Sequence, residues 1–457
     1  MATLALALRR DPLDVLASLA DEPGAFLLEV PDPAHPAILV GCRPVAELRV
    51  EADGRVRHSD GTAVGDDPLE AIAAFVGDVH GAGDPAPFPL CGGVVGYLGY
   101  ELGRLAVPWR STLPLPREAI APLAVLRRYD PLLVYDRTRA QWALVSPNGA
   151  SRTASWLARV AAPAGHWEGP LATEPLRAAM APDRYRAGVR HILAYLRAGD
   201  AYQVNFTQRF TARLAAPAVA VFDATARRHP VPYRAYLDTG AVQLVANSPE
   251  LFLRRRGARI ETHPIKGTRP RGDNAAGDAA LAAELLHDGK EQAEHVMIVD
   301  LERNDLGRIC AAGSVRVESL ARVESHPTVH HLVSVVAGRL RGDIGLAELL
   351  RATFPGGSIT GAPKLRAMEI AAELEDGPRG PYTGAIGLLH PAGDLELALA
   401  IRTAVVSAGT LDYHAGGGIV VESDPDRELA EAWLKTAAIR LALGERVGPE
   451  RERCSSG

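Results

Sequence analysis

The run YTGAIGLLHPAGDLELALAIRTAVVSAGTLDYHAGGGIV, residues 382–420, carries the pattern on which the fold turns. Apolar residues crowd 383–390, 395–406 and 416–421, and the stretches between them hold proline, glycine and aspartate. Short Ile-, Leu- and Val-rich runs ended by turn residues predict β-strands rather than helices. Working outward, 202–210 alternates like a strand, and further strands are predicted at 242–246 and 250–256. Towards the N-terminus, runs at 25–30, 37–40, 92–97 and 131–135 read as strands of a mostly antiparallel sheet. Helical periodicity predicts helices at 68–80, 184–197, 275–287, 290–303, 345–353, 363–374 and 425–443, so the class is α+β. A Pro-, Gly-, Ala- and Ser-rich stretch at 146–175 marks the best internal boundary. The expected organisation is an N-terminal region at 1–150, a connection at 151–180, a main region at 181–445 and a fraying tail at 446–457.

Composition narrows the function. The chain has 457 residues, 47% hydrophobic and 23% charged, enough to bury a large core. No apolar run approaches the roughly 18 residues of a membrane span. Fifty basic residues against 55 acidic ones, net −5, with no long run of one sign, argue against a nucleic-acid surface. The opening Met1 to Leu8 has no basic region ahead of it and meets Arg9-Arg10, so no signal peptide is read there. Cys42, Cys91, Cys310 and Cys454 show no CxxC spacing, which argues against zinc and suits a reducing compartment. A cytoplasmic location is the expectation.

Lysine is the informative residue. Only Lys266, Lys290, Lys364 and Lys435 occur, so 46 of the 50 basic residues are arginine. In such a chain lysine marks positions where a compact ammonium, or an amine able to lose its proton, is needed. All four lie in the second half. That is where chemistry is expected.

Glu428, Glu431 and Lys435 follow the helix-start signal Ser423-Asp424-Pro425 at spacings that put them on one helix face. Alone, such a triplet is most simply a solvated face with salt bridges. Just upstream, Gly416, Gly417 and Gly418 end the preceding predicted strand with backbone that a ligand can approach. Glu294 stands in EQAEHVMIVD at 291–300, and three carboxylates from two helices make a hard oxygen site of the kind Mg²⁺ takes. Lys266, in HPIKGT at 263–268, lies near the end of a strand and is followed by glycine. Glu250 precedes it by 16 residues, which suits adjacent strands of one hairpin. A carboxyl beside an amine is either an acid with a nucleophile or an ion pair. Arg402, mid-strand, needs an anionic partner from the protein or a ligand. FPGGSITGAPK at 354–364 lacks the spacing of a phosphate loop and reads as a glycine-rich turn into a helix.

Taken together and in order, these segments resemble the chorismate-utilising enzymes, the group that includes anthranilate synthase component I, aminodeoxychorismate synthase component I, isochorismate synthases and salicylate synthases. The likeness is dense from Arg184 to Arg440. The fold it implies is of the anthranilate synthase component I type: large, mostly antiparallel sheets packed as a two-sheet sandwich with helices outside. PIKGT at 264–268 and FPGGSITGAPK resemble the aminodeoxychorismate synthase pattern, whereas anthranilate synthases carry alanine at the lysine position. Gln203 stands where isochorismate and salicylate synthases carry a lysine that activates water.

The resemblance implies roles. Glu294, Glu428 and Glu431 match the Mg²⁺ carboxylates. Lys435 matches a contact to the ring carboxylate of chorismate, and Thr268 and His331 match ring-side contacts. Tyr382, Arg402 and Gly416 to Gly418 match the clamp on the enolpyruvyl group. Lys266 matches the nucleophile and Glu250 the general acid. The implied reaction joins chorismate and ammonia into 4-amino-4-deoxychorismate, the precursor of 4-aminobenzoate and folate. The ammonia is expected from glutamine by way of a separate amidotransferase subunit, because the chain has no Gly-x-Cys-x-Gly elbow. Anthranilate synthesis and a non-catalytic chorismate-binding subunit are the alternatives. In the N-terminal region Leu27-Leu28-Glu29 is followed by Val30, a departure from the Leu-Leu-Glu-Ser of tryptophan-binding members.

Overall fold

The computed structural model describes residues 2–59, 61, 65, 67–77, 93–106, 121–146, 153–326 and 329–447. Residues 448–457 of the tail expected to fray, residues 78–80 of the expected 68–80 helix, Gly92, Cys91 and Cys454 lie outside them. Two antiparallel sheets, of 12 and 11 strands among the described residues, form the body. Phe26, Tyr97, Leu244, Leu251, Ile386 and Val405 pack in the layer between them, and all are buried. Helices lie on the outer faces. Pro68–Val76, Gly289–Gly307 and Leu346–Thr353 cover the 11-stranded sheet through Ile72, Val299 and Leu350. Pro182–Ala198, Lys364–Leu374 and Pro425–Leu434 pack on part of the 12-stranded sheet around Tyr185, Phe206, Ile370 and Leu429. The expected two-sheet sandwich with outer helices is the observed architecture.

Both halves of the chain build both sheets. Phe26–Val30 pairs with Tyr233–Asp238, and Val94–Leu98 pairs with Ala385–Leu389. The 151–180 boundary is therefore a boundary along the chain, while hydrogen-bonded ladders continue across it.

Two expected elements are divided in the structure. The run at 395–406 is two strands, Leu395–Leu399 in one sheet and Thr403–Ser407 in the other. Arg402, expected mid-strand, sits at this crossing with φ 51°, a left-handed backbone uncommon outside glycine. A continuous apolar run hides the crossing because both strands are buried on both faces. The chain also crosses between Gln243–Ser248 and Leu251–Arg256, at Pro249-Glu250. Asn247 N donates to Arg402 O at 3.1 Å and Leu399 N to Glu250 O at 3.0 Å, which stitches the two crossings together.

The helix expected at 425–443 is Pro425–Leu434 followed by Ala437–Ala442. Arg402 Nη1 and Tyr413 Oη both donate to the carbonyl of Lys435, so that carbonyl is held outside the helical ladder. The glycines at 416–418 do not end a strand. They lie inside Thr410–Ile419, paired with Thr207, Phe206 and Asn205.

Candidate active site

Glu250 and Lys266 lie near enough for the lysine charge to act on the carboxyl, but no ion pair joins them within 4 Å. The strand of Lys266 pairs with Val329–Arg339 rather than with the strand after Glu250. Leu251–Arg256 pairs with Arg259–His263, and the chain continues directly into Ile265–Pro270, which carries Lys266. Glu250 is buried, its Oε1 accepting from Ser358 Oγ at 2.7 Å. Burial pushes its carboxyl up to about 7. The Ser358 hydroxyl, the Lys266 charge and the Ile265 amide all pull in the other direction without cancelling that rise. Near neutral pH the carboxyl thus divides between acid and carboxylate, as a group that gives and then takes a proton must.

The four lysines are not equivalent. Lys364 pairs with Asp305 at 2.6 Å, Lys435 with Glu431 at 2.5 Å and Lys290 with Glu294 at 3.6 Å. Among the described residues Lys266 alone has no carboxylate partner within 4 Å, although its charge is felt at Glu250, His295 and Glu431. A half-buried amine without a fixed partner remains available to a substrate.

A second cluster surrounds Gly417. A Cβ there would lie 3.1 Å from Glu428 Oε2, 3.3 Å from Glu431 Oε1 and 3.6 Å from Lys435 Nζ. The predicted helix face is therefore real and directed at the glycine strand. Asp424 caps this helix through the amides of Asp426 and Arg427, with Pro425 in the first turn. Lys435 Nζ also donates to Gly416 O at 2.7 Å. Glu428 accepts from Ser423 Oγ at 2.6 Å, and burial raises its carboxyl, with Glu431 adding in the same direction. Two carboxylate oxygens facing stripped backbone in a half-enclosed place fit a hard divalent cation. Glu294 stands across from them, held by Lys290, and its charge reaches Glu291, which also feels Glu431. Among the described residues no three such ligands already converge on one point, so Glu294, Glu428 and Glu431 form a divided set.

The remaining expected residues have the following settings. Thr268 Oγ1 lies 3.1 Å from His331 Nδ1, and burial pushes His331 down to about 4, leaving it neutral. Tyr382 is buried and stacks on His414, centroids 5.4 Å apart. Arg402 reaches the Lys435 carbonyl, which ties the sheet crossing to the glutamate helix. Gln203 is fully buried against Gly418, and its amide atoms have no partner among the described residues.

Sequence reasoning missed Ser358, His414 and Tyr413. Ser358 was hidden in a turn whose glycines drew the reading. His414 and Tyr413 looked like ordinary strand residues.

The chain belongs to the chorismate binding enzyme family, whose model matches residues 24–440. Among its relatives is an anthranilate synthase component 1 1 of Haloarcula marismortui, 40% identical over 404 residues, 83% of this chain and 81% of that protein. An aminodeoxychorismate synthase component 1 of Klebsiella aerogenes is 40% identical over 380 residues, 82% of each chain. The crystal structure of anthranilate synthase component I from Streptococcus pneumoniae TIGR4 superposes with a TM-score of 0.78 at 29% identity, covering 95% of this chain and 94% of that one. No helix among the described residues is long and apolar enough to cross a membrane.

Proposed function

We propose that the chain is an aminodeoxychorismate synthase component, converting chorismate and ammonia to 4-amino-4-deoxychorismate and water. The observation that carries this reading is that Glu250 is buried with its carboxyl held near 7, while Lys266, whose charge reaches it, has no carboxylate within 4 Å among the described residues. Neutral Lys266 attacks ring C2, the double bonds shift, and the C4 hydroxyl leaves as water with the proton of Glu250. Ammonia then adds at C4, the double bonds return, and the C2–N bond to Lys266 breaks. The Glu250 carboxylate takes the surplus proton from the new ammonium. Pyruvate stays attached throughout.

Thr268 and His331 border the ring, and Tyr382, Arg402 and the backbone of Gly416, Gly417 and Gly418 enclose the enolpyruvyl carboxylate. Lys435 faces the ring carboxylate. Glu294, Glu428 and Glu431 would hold Mg²⁺, which when bound supplies the positive charge a carboxylate-rich site needs before it accepts a dianion. A glutamine amidotransferase subunit would bring the ammonia. The product then serves 4-aminobenzoate and folate synthesis in the cytoplasm.

Anthranilate synthesis is the second reading, favoured by a 40% identity to the Haloarcula protein that equals the Klebsiella one. Lys266 opposes it, since an amine bonded to C2 excludes ammonia from that carbon. Chorismate, Mg²⁺ and ammonium distinguish the two. Direct anthranilate fluorescence sinks the first reading, whereas 4-aminobenzoate appearing only after a lyase is added supports it. Lys266→Arg is expected to be as damaging as Lys266→Ala, because a guanidinium with pKa above about 12 offers no free electron pair. An arginine variant with most of the wild-type rate would make Lys266 a charge partner instead.

A further inference from the structure

Glu250 owes its setting to a turn that the proposed chemistry never touches. Its carboxyl is fixed by Ser358, which lies in the short 3-10 turn Gly357–Ile359. That turn is gripped from behind at two points. Lys364 Nζ donates to Asp305 Oδ2 at 2.6 Å, to Thr353 O at 3.0 Å and to Pro355 O at 2.7 Å. An ammonium has three protons, and all three are used, in a pyramidal arrangement that a planar guanidinium does not reproduce. The second grip is Glu302, which accepts from Gly357 N at 3.0 Å and lies fully inside the protein. Gly357 itself has no room for a side chain, since a Cβ would stand 2.7 Å from Leu301 Cδ2. Asp305 and Glu302 are successive inward positions of the Gly289–Gly307 helix, so that helix, the turn and Glu250 form one connected unit.

We propose that Lys364 is a positioning residue for Glu250: by gathering Asp305, Thr353 O and Pro355 O it holds the turn from which Ser358 directs the Glu250 carboxyl. This rests on Glu250 acting as the acid and base of the proposed reaction. It also gives a reason for lysine at 364 in a chain that elsewhere turns to arginine. Lys364 contacts no substrate. Its influence passes through Ser358, and the other groups that bear on Glu250 are Lys266 and the Ile265 amide, with Glu302 nearby.

The test compares Ser358→Ala, Lys364→Met, Lys364→Arg and the Ser358→Ala/Lys364→Met double variant, with ammonium as nitrogen source. Each is assayed for kcat and KM for chorismate across pH, and thermal unfolding is followed alongside. Losing the Ser358 hydroxyl is expected to lower kcat about tenfold. It should also move the alkaline limb of kcat upward, because that hydroxyl opposes the rise caused by burial. Lys364→Met should do the same with KM for chorismate unchanged, and the double variant should be no worse than the worse single one. Lys364→Arg keeps the charge beside Asp305, so it serves if the methionine variant does not fold, and its limb should move too. Glu250→Gln is the control on the underlying reading and should abolish turnover. If that control is inactive while both Lys364 variants keep the wild-type limb, or if the Ser358 and Lys364 effects simply add, the positioning role is wrong. An active Glu250→Gln overturns the reading beneath it instead.

Discussion

At the scale of single residues, Glu250 carries a stability signature independent of catalysis. Its carboxyl keeps a proton to about 7 in the native protein, against 4.5 for the ordinary group. Between those values the native state binds more protons than the unfolded chain, so this residue's contribution falls as pH rises. Glu250→Gln removes the ionisation. The variant is expected to gain stability relative to wild type between about pH 5 and about pH 8, by an amount on the order of 3 kcal/mol. Denaturant unfolding at the two pH values checks this, and a difference that does not change with pH would mean that Glu250 ionises freely in the folded protein. The separation of 16 residues suggested a hairpin, and the hairpin formed is Leu251–Arg256 with Arg259–His263, with Lys266 on the strand that follows. The tuning of Glu250 was not legible, because Ser358 arrives from more than a hundred residues away and no local pattern announces it.

At the scale of elements, the strand Thr410–Ile419 separates two kinds of glycine. A Cβ on Gly416 would meet Phe206 O at 1.9 Å, which is main chain of the neighbouring strand and cannot yield. A Cβ on Gly417 would meet only the ends of Glu428, Glu431 and Lys435. Gly416→Ala is therefore expected to cost several kcal/mol, about the scale of a seriously disrupted core. Gly417→Ala should fold with nearly wild-type stability yet need far more Mg²⁺ for half-maximal rate, at least about tenfold. Thermal unfolding with Mg²⁺ titrations separates the cases, and equal behaviour of the two variants would contradict the register. The face shared by Glu428, Glu431 and Lys435 could be read directly, since spacings of three and seven are fixed by helix geometry. The halt at Lys435 could not be read, because neither glycine nor proline marks it and the cause is two donors from other elements, Arg402 and Tyr413. Likewise the sheet crossing at Arg402 leaves an unbroken apolar run in the sequence, and only the left-handed backbone reveals it.

At the scale of the whole molecule, the N-terminal region supplies strands to both sheets while contributing none of the candidate site residues. Removing residues 1–150 would strip Phe26–Val30 from Tyr233–Asp238 and Val94–Leu98 from Ala385–Leu389. Two long, buried strands would become open edges, the situation that templates aggregation. A fragment of 181–445 is expected to be insoluble or to form large assemblies even though it holds every residue proposed for chemistry. Light scattering of the purified fragment decides this, and a monodisperse, chorismate-binding fragment would show that the two regions fold separately. The layered architecture itself was legible from the strand runs and the family resemblance. Which strands neighbour one another was not, because pairings such as Tyr97 with Ile386 join positions nearly three hundred residues apart.

The concentration of lysines has a practical consequence for anyone handling the protein. Lys266, Lys290 and Lys435 all act on the same carboxylate, Glu431, and the side chain of Lys290 is the most open of the paired ones at 58% exposure. Acylating reagents that spread over the whole surface of an ordinary protein would here find only four side-chain amines, three of them acting on Glu431. Peptide mapping after brief acylation thus becomes an occupancy meter, with a bound ligand shielding Lys266 and Lys435. The same arithmetic warns against amine coupling to a sensor chip, which would tether the molecule beside Glu431.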